Sequence, residues 1–482
     1  MRPQAPEACA SANSATPAFE LYFVALACYE IYTTTFFVEC QTKNEKFFNF
    51  FFRSLGRPQK RTNWLKKDTP CDTLSISKDL KYVFFFALLR FGLISVHREV
   101  WCWPRSNRLG EGGEKDGVLT EKGDFMKAFL ILEDGHVFTG TSIGSTREVI
   151  SEIVFNTSMT GYLEVMTDPS YAGQAVCMTY PLIGNYGICY EDQESIRPWI
   201  DGYIVRELSR RPSNFRSEDS IWHFLEKYDI PGIAGIDTRA LTRRLREKGT
   251  MNGMITTDEN YRLEAILPRL KAYKTGKVVE RAACKEKKVL AGNGRKVAFM
   301  DFGAKTNIVR CLQKRGCQVT IYPAGASAVE ILASEPDGIM LSNGPGDPKE
   351  CVSIIKELRK LYDSDVPIFA ICLGHQLMAL ASGADTKKMK YGHRGGNHPV
   401  KDLKTGRVYI SSQNHGYVVD EDTLNPKVAV PAFVNVNDGT NEGLSYVGKK
   451  IFTVQFHPEA CPGPEDSGYL FDRFIEMMGG DE

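Results

Sequence analysis

The amino-acid sequence predicts an α/β protein in which a mixed α/β amino-terminal domain precedes a doubly wound, parallel-sheet domain. From residue 296 onward strand and helix patterns alternate, as in a parallel sheet covered by helices on both faces. The apolar run 367–371 passes through Cys372 directly into a helical pattern, which indicates a sharp strand–turn–helix elbow. Ahead of these lies a block, residues 126–275, that mixes short strand patterns and turns with two helical patterns.

The composition limits the classes of partner. The chain has 482 residues, a formal net charge of +1 and 11% aromatic residues, so neither charge nor aromatic content indicates nucleic acid. At about 150 residues per domain, this length suggests about three units. The first of these, residues 1–125, therefore needs an interpretation of its own.

Residues 1–125 differ from the rest of the chain. The apolar run 19–38 is interrupted by two glutamates, which are costly inside a membrane. A second run, 83–96, is too short to span a bilayer. We therefore predict no membrane association, with tethering through these two runs as the alternative. Because Met126 is followed by a charged residue, Lys127, and then by a clear strand pattern, our hypothesis is that the native protein starts at Met126. Residues 1–125 would then be an unassigned extension, either disordered or a misplaced start.

The strands and helices of the block 126–275 are predicted from local sequence signals. Its strands are 128–132 and 137–139, joined as a hairpin by a Glu-Asp-Gly turn, then 152–155 and 175–179. Its helices are 220–228 and 237–248, the second with Asp237 as N-cap and Gly249 at its end. The block offers few catalytic side chains, so we interpret most of it as structural or partner-binding. A segment rich in Lys, Gly and Glu, residues 276–294, is predicted to be a linker.

The second domain, residues 295–482, is predicted to carry its ligands at the carboxyl ends of its strands. The predicted strands are 296–300, 318–322, 338–341, 367–371 and 451–456. The predicted helices are 305–314, 348–362, the one beyond Cys372, and 471–478. Cys372 and the glycine-rich loop 342–348 both follow such strands, so we expect them at one edge of the sheet.

Cys372 has the local context of a nucleophile. A helix amino terminus favours the thiolate, although a buried core cysteine is the alternative interpretation. Among eight histidines, His457 is the best candidate base because it follows a strand. Glu459, two residues on in an extended stretch, is expected on the same side to orient the imidazole. His375 is interpreted as a packing residue. Oxyanion donors are expected from the Leu373 N–H and the 343–346 loop.

No metal site is predicted. The thirteen cysteines contain no CxxC pair and no metal-ligand spacing. His393 and His398 flank a polar loop with no cysteine or acid arranged beside them, so we interpret both as structural. A thiol nucleophile fits a reducing compartment, so the expected location is cytoplasmic.

Four motifs in the second domain resemble those of class I glutamine amidotransferases. They are SNGPGDP at 342–348, ICLGHQL at 371–377, SQNHG at 412–416 and QFHPE at 455–459. Other segments resemble the carbamoyl-phosphate synthetase small-subunit family, namely 152–171, 179–187, 237–249 and 388–400. The resemblance covers residues 126–482. Two positions depart from it, Ala370 where glycine is common and Tyr417 where phenylalanine is common.

The resemblance implies glutamine hydrolysis through a thioester on Cys372, with His457 as base and then acid and Glu459 orienting it. The implied glutamine contacts are Ser170, Gly344, Gly346, Leu373, Gln376, Asn414, Gly416 and Tyr417. Ammonia is then expected to pass through a tunnel into a separate large subunit that makes carbamoyl phosphate from bicarbonate. This chain has no GxxxxGK[ST] motif and no expected cofactor of its own, so ATP and Mg²⁺ are expected in the large subunit.

Several alternatives stay open. Amidotransferases that feed anthranilate, GMP or CTP synthesis carry different partner domains, which the block 126–275 argues against. A non-catalytic scaffold is opposed by the presence of Cys372, His457 and Glu459. A free-standing subunit and a fragment of a fused polyprotein both fit the sequence. Arginine synthesis and pyrimidine synthesis both remain open as the pathway served.

Overall fold

The structure is a computed structural model that describes residues 126–479, and the predictions for residues 1–125 lie outside the described residues. The strands of the first domain are β1 Lys127–Leu132, β2 Val137–Gly144, β3 Val149–Asn156, β4 Gln174–Met178, β5 Leu182–Ile183, β6 Gly202–Ile204, β7 Glu207–Leu208, β8 Pro231–Ala234 and β9 Met251–Thr256. Its helices are α1 Tyr162–Thr167, α2 Ile221–Lys227, α3 Thr238–Lys248 and α4 Leu263–Ala272.

Seven strands of the first domain close into a barrel, in the order β1-β2-β8-β6-β4-β3-β9. Closure pairs every strand on both sides and so removes exposed sheet edges. The predicted hairpin is present, with Gly135 at a φ of 83° in its turn. The predicted helix cap is also present, because the Asp237 side chain accepts a hydrogen bond from the Ala240 N–H. Barrel closure itself was not predicted.

The second domain contains the longer sheet. Its strands are β10 Lys288–Leu290, β11 Lys296–Asp301, β12 Gln318–Pro323, β13 Gly338–Leu341, β14 Ile368–Ile371, β15 Asp385–Asp402, β16 Val408–Asp420, β17 Ala429–Asn435, β18 Asn441–Tyr446 and β19 Ile451–Val454. Its helices are α5 Val278–Ala282, α6 Thr306–Lys314, α7 Ala328–Leu332, α8 Val352–Tyr362, α9 Leu373–Ala381 and α10 Tyr469–Met477.

Helices cover both faces of this ten-stranded sheet. Its order is β10-β12-β11-β13-β14-β19-β18-β17-β15-β16, and the run from β12 to β19 is parallel. Along β14 the side chains alternate between two separate apolar clusters: Ile368 and Ala370 belong to one, Phe369 and Ile371 to the other. All four are fully buried, as expected for a strand covered on both faces. The predicted two-domain α/β fold class is confirmed.

Two local predictions in this domain were wrong. The segment 276–294, expected as a linker, contains α5 and the edge strand β10, which pairs antiparallel with β12. Val289 of that strand is 55% exposed, so an edge strand here lacks the apolar pattern that would have revealed it. The helix expected over 348–362 is interrupted at Cys351, because the Asp347 side chain caps a separate turn, Pro348–Glu350.

Within residues 126–479, no helix combines the length and the apolar character that crossing a bilayer requires.

Candidate active site

Cys372 lies at a strained elbow between β14 and α9. Its φ of 53° is unusual for a residue with a side chain, and such strain persists only where the surroundings enforce it. The Cys372 N–H donates to the Val454 carbonyl at 2.8 Å, which ties the elbow to β19. Gly374 is needed two residues on, because a Cβ there would lie 2.7 Å from the Leu341 carbonyl oxygen. The side chain of Cys372 is 2% exposed.

His457 reaches the same edge of the sheet because β19 is the parallel neighbour of β14. Its Nδ1 lies 2.6 Å from Glu459 Oε1. Nδ1 is therefore the protonated nitrogen facing the carboxylate, and Nε2, which has no hydrogen-bond partner among the described residues, is left as the basic nitrogen. His457 and Glu459 lie side by side as expected, but the backbone conformation that brings them together differs from the prediction. Residues 458–459 form a turn, and the extended stretch predicted there was wrong.

The electrostatics of this pair favour the charged forms. Burial alone would lower the pKa of His457, but the Glu459 carboxylate and the Cys372 side chain outweigh it and raise that pKa to about 10. Burial would likewise raise the pKa of Glu459, but Lys305 and His457 lower it to about 2. A positive charge on His457 is therefore stabilised by its carboxylate neighbour.

Lys305 supplies a buried positive charge that the sequence did not reveal. It is 2% exposed, its Nζ lies 3.1 Å from Glu459 Oε1, and it also donates to the Ala460 carbonyl. Burial opposes its charge, but Glu459, Glu194 and Asp168 outweigh that and raise its pKa. Lysine is ordinarily exposed, so nothing local marks this one as a partner of Glu459.

A cavity of about 280 Å³ opens beside Cys372. Seven of the eight predicted glutamine contacts line it, namely Ser170, Gly344, Gly346, Gln376, Asn414, Gly416 and Tyr417. Leu373 is the exception: it is buried, and its side chain lies next to Gly344. Gly344 has to be glycine, since a Cβ there would lie 2.4 Å from the Phe302 carbonyl oxygen. The chain thus brings the nucleophile and these residues to one cavity.

The first domain reaches into this cavity through residues 168–170. Asn343 Nδ2 donates to Ser170 Oγ at 2.8 Å, and Asn414 Nδ2 donates to Asp168 Oδ2 at 2.9 Å. The other Asp168 oxygen accepts from the Ser170 N–H at 2.9 Å. Asp168 is therefore a functional residue that sequence reasoning missed. Its contact is with a residue 246 positions away, so no local pattern marks it.

Arg394 adds a second buried cation, on the cavity wall. It is 4% exposed, its Nη1 donates to the Tyr391 carbonyl at 2.7 Å, and its Nε has no partner in the described part of the chain. Glu152 and Lys388, 2.7 Å apart, line the same cavity. Charges of both signs suit a zwitterionic ligand such as an amino acid. The loop predicted around Arg394 belongs instead to the long strand β15.

The expectation that no acid lies near His393 was wrong. His393, His415 and Glu442 come together, with ligand-type atoms within 4.8 Å of one another. Each ring nitrogen of His415 faces an oxygen atom, Nδ1 the Tyr417 carbonyl at 2.8 Å and Nε2 Gln413 Oε1 at 2.6 Å, and burial favours the neutral ring, which donates to one of them. His393 Nε2 is held at 2.9 Å by Asp438. Because these nitrogens face protein oxygen atoms, the cluster fits a buried polar network better than a set of metal ligands. His375 is fully buried and bonds Thr453, as a packing residue does.

His393 is expected to make the stability depend on pH. Burial alone would lower its pKa, but Asp438 and Glu442 raise it to about 9. A raised pKa stabilises the fold fully below the unfolded value, and this is lost as the pH rises from about 6.5 through about 9. The free energy of unfolding in urea should therefore fall by up to about 3 kcal/mol over that range.

In the His393→Gln variant this pH-dependent loss should shrink, whereas His223→Gln, at a histidine with a 65% exposed side chain, should keep it. An identical pH slope in wild type and His393→Gln would contradict the assignment.

Comparisons with known proteins agree with the two-domain arrangement. The family model described as carbamoyl-phosphate synthase small chain, CPSase domain, matches residues 130–255, and glutamine amidotransferase class-I matches 298–477. The carbamoyl phosphate synthase small chain of Clostridium perfringens is 52% identical over 351 residues, which is 73% of this chain and 99% of that protein. The small chain of Bacillus caldolyticus is 51% identical over 354 residues, 73% of this chain and 97% of that protein.

Among solved structures, a glutamine amidotransferase from Thermotoga maritima is 18% identical, with a TM-score of 0.29, and the match covers 35% of this chain and 77% of that one.

Proposed function

The chain belongs to the carbamoyl-phosphate synthase small-chain family, and from this premise we propose that it hydrolyses glutamine at Cys372 and supplies the ammonia to a separate large chain. The observation that carries the proposal is that the Cys372 elbow and the His457–Glu459 pair lie at one edge of the sheet. Within that pair, His457 Nδ1 is 2.6 Å from Glu459 Oε1. Residues far apart in the chain meet there as a nucleophile, its base and the group that orients the base.

In the proposed first step, the thiol proton of Cys372 has passed to His457 Nε2, and the Cys372 thiolate attacks the side-chain amide carbon of glutamine. The carbonyl oxygen becomes an oxyanion, for which the Leu373 N–H and the Gly344 loop are the proposed donors. His457 then gives its proton to the departing nitrogen, so ammonia leaves and a thioester remains on Cys372. Glu459 stays ionised throughout, because its pKa is lowered to about 2.

In the second step a water molecule attacks the thioester. His457, now neutral, accepts a proton from this water through Nε2. Collapse of the tetrahedral intermediate breaks the C–S bond, releases glutamate and returns the thiolate–imidazolium pair. One glutamine and one water thus yield one glutamate and one ammonia, and the chain ends as it began.

The binding of glutamine is proposed from the cavity walls. The amide of Gln376 donates to the Tyr417 carbonyl at 2.8 Å and to Gln455 at 2.9 Å, which fixes its orientation and leaves its oxygen as an acceptor. Asn414 is held by Asp168 in the same way. Side chains fixed by such bonds are preorganised, so less entropy is lost when an amino acid binds.

A large chain is the proposed partner, because the curated relatives are themselves named small chains. Ammonia is proposed to pass to it through an internal tunnel, and ATP and Mg²⁺ to bind there, with no cofactor held by this chain. A cytoplasmic location stays a prediction that follows from the thiol chemistry.

Ammonia release from glutamine tests the proposed function. The full chain would be assayed alone and with the large chain of a bacterial relative, with free ammonia as an alternative nitrogen source. We expect release that rises when the large chain is added, because a partner that binds the active form more tightly shifts the population toward that form. A chain that binds the large chain, supports carbamoyl phosphate formation from free ammonia and yet releases none from glutamine would be a scaffold instead.

A further inference from the structure

The first turn of α6 is capped by a residue of the other domain. Lys305, at the N-cap position, makes no side-chain cap. Instead the Glu194 carbonyl accepts from the Thr306 N–H at 2.7 Å and from Thr306 Oγ1 at 2.9 Å, and Glu194 Oε2 accepts from the Asn307 N–H at 3.1 Å. Orphan donors at a helix start are normally satisfied by the chain that enters the helix. Here a loop 112 residues earlier satisfies two of them.

The same helical turn holds the backbone that carries Glu459. Asn307 Nδ2 donates to the Glu459 carbonyl and lies 3.3 Å from Cys461 Sγ. Lys305 Nζ binds the Glu459 carboxylate at 3.1 Å. Lys305 and Asn307, on either side of Thr306, therefore both bond to Glu459 in the turn after β19.

Glu194 is also held by a hydrogen bond within its own domain. Its N–H donates to Thr167 Oγ1 at 3.0 Å, next to Asp168. The residue is 1% exposed, and an ionised carboxylate buried this deeply is costly unless its surroundings compensate it. Burial raises the pKa of Glu194 to about 7, because Lys305 and the Asn307 N–H only partly offset the burial and the repulsion from Glu459 and Asp168. A carboxyl group kept out of solvent at this cost, with its oxygen on the first turn of α6, calls for a role beyond filling the interface.

We propose that Glu194 is a positioning residue for the catalytic group: by capping α6 across the domain interface, it holds Glu459 against His457. The inference rests on the proposed function. It makes the glutaminase chemistry depend on the docking of the first domain, and not on the second domain alone.

A purely structural role would have different consequences. If Glu194 only stabilised the interface, its removal would lower the amount of folded protein and leave each folded molecule with normal kinetics. If it positions Glu459, each folded molecule should be slower. The pKa of His457 should also fall. The groups that face its imidazole are Glu459 and Cys372, and a Glu459 carboxylate that is held less firmly stabilises the imidazolium less.

The test compares Glu194→Ala and Glu194→Gln in the full chain with its large chain, measuring glutamine-dependent ammonia release across pH. Active sites would be counted by a glutamine-analogue label that alkylates Cys372. Per labelled site, we expect Glu194→Ala to lower kcat about tenfold, roughly the effect of one hydrogen bond in the transition state, with a smaller change in KM. The alkaline limb of kcat/KM should move to lower pH, because a weaker Glu459 contact lowers the pKa of His457.

Glu194→Gln keeps an oxygen that can accept from the Asn307 N–H, so it should recover most of kcat and keep the fold. The matched control is Glu191→Ala, in the same loop with an 85% exposed side chain, which should behave as wild type. An unchanged kcat and pH profile per site in Glu194→Ala would overturn the inference. A wild-type chain that releases no ammonia from glutamine would instead overturn the proposed function, so the two failures are distinguishable.

Discussion

Cys372→Ala is expected to lower glutamine-dependent ammonia release by at least about a thousandfold, because removing the nucleophile of a concerted unit costs nearly the whole covalent contribution. Carbamoyl phosphate formation from free ammonia by the complex should persist, since that reaction does not pass through the thiol. The measurement is kcat with glutamine and with ammonia, in the same preparation. A loss of about 1 kcal/mol in the free energy of unfolding is expected, because the substitution removes a buried sulfur atom and its hydrogen bond to the Asn414 carbonyl.

Cys351→Ala is the matched control for that experiment. Cys351 is also buried and lies in the same domain, but it is the N-cap residue of α8 and takes no part in the elbow. It should retain glutamine-dependent activity. Equal losses in both variants would indicate a general effect of removing a buried thiol, and full activity in Cys372→Ala would exclude the thioester mechanism.

Lys305→Met is expected to have the largest effect on stability, a loss of about 3–5 kcal/mol in the free energy of unfolding, because it leaves buried carboxylates without their cation. Glutaminase activity should fall with it, since Glu459 loses the charge that keeps it ionised. Urea unfolding of the full chain at several pH values measures the first effect, and ammonia release the second.

The pH dependence of stability should also change in this variant. In the wild type, the lowered pKa of Glu459 stabilises the fold above the unfolded value, and that contribution is lost as pH falls toward about 2. Without Lys305, only His457 opposes the effect of burial, so the pKa of Glu459 should rise and the stabilisation that is lost in acid should shrink. Lys314→Met, at an exposed position of α6, is the control and should change stability by less than about 0.5 kcal/mol. A similarly small change in Lys305→Met would contradict the assigned role.

Much of the fold followed from short-range signals in the chain. The hairpin around Gly135, the cap at Asp237 and the elbow at Cys372 each depend on turn chemistry and periodicity within about ten residues, which local sequence expresses directly. The pairing of His457 with Glu459 was also foreseeable, because the two are close in sequence. Even there the predicted backbone conformation was wrong, because two residues separated by one position can lie together in a turn as well as in an extended strand.

Other features could be read only from the folded chain. Barrel closure and the edge strand β10 depend on partners distant in sequence, which no local pattern encodes. The same holds for Asp168, Glu194, Lys305 and Arg394, all polar residues of types that are ordinarily exposed. Each became part of the candidate site because folding placed it out of water beside a particular donor, charge or cavity. The free energy of a buried charge depends on those neighbours and not on the residue itself, so its role exists only once the tertiary contacts have formed.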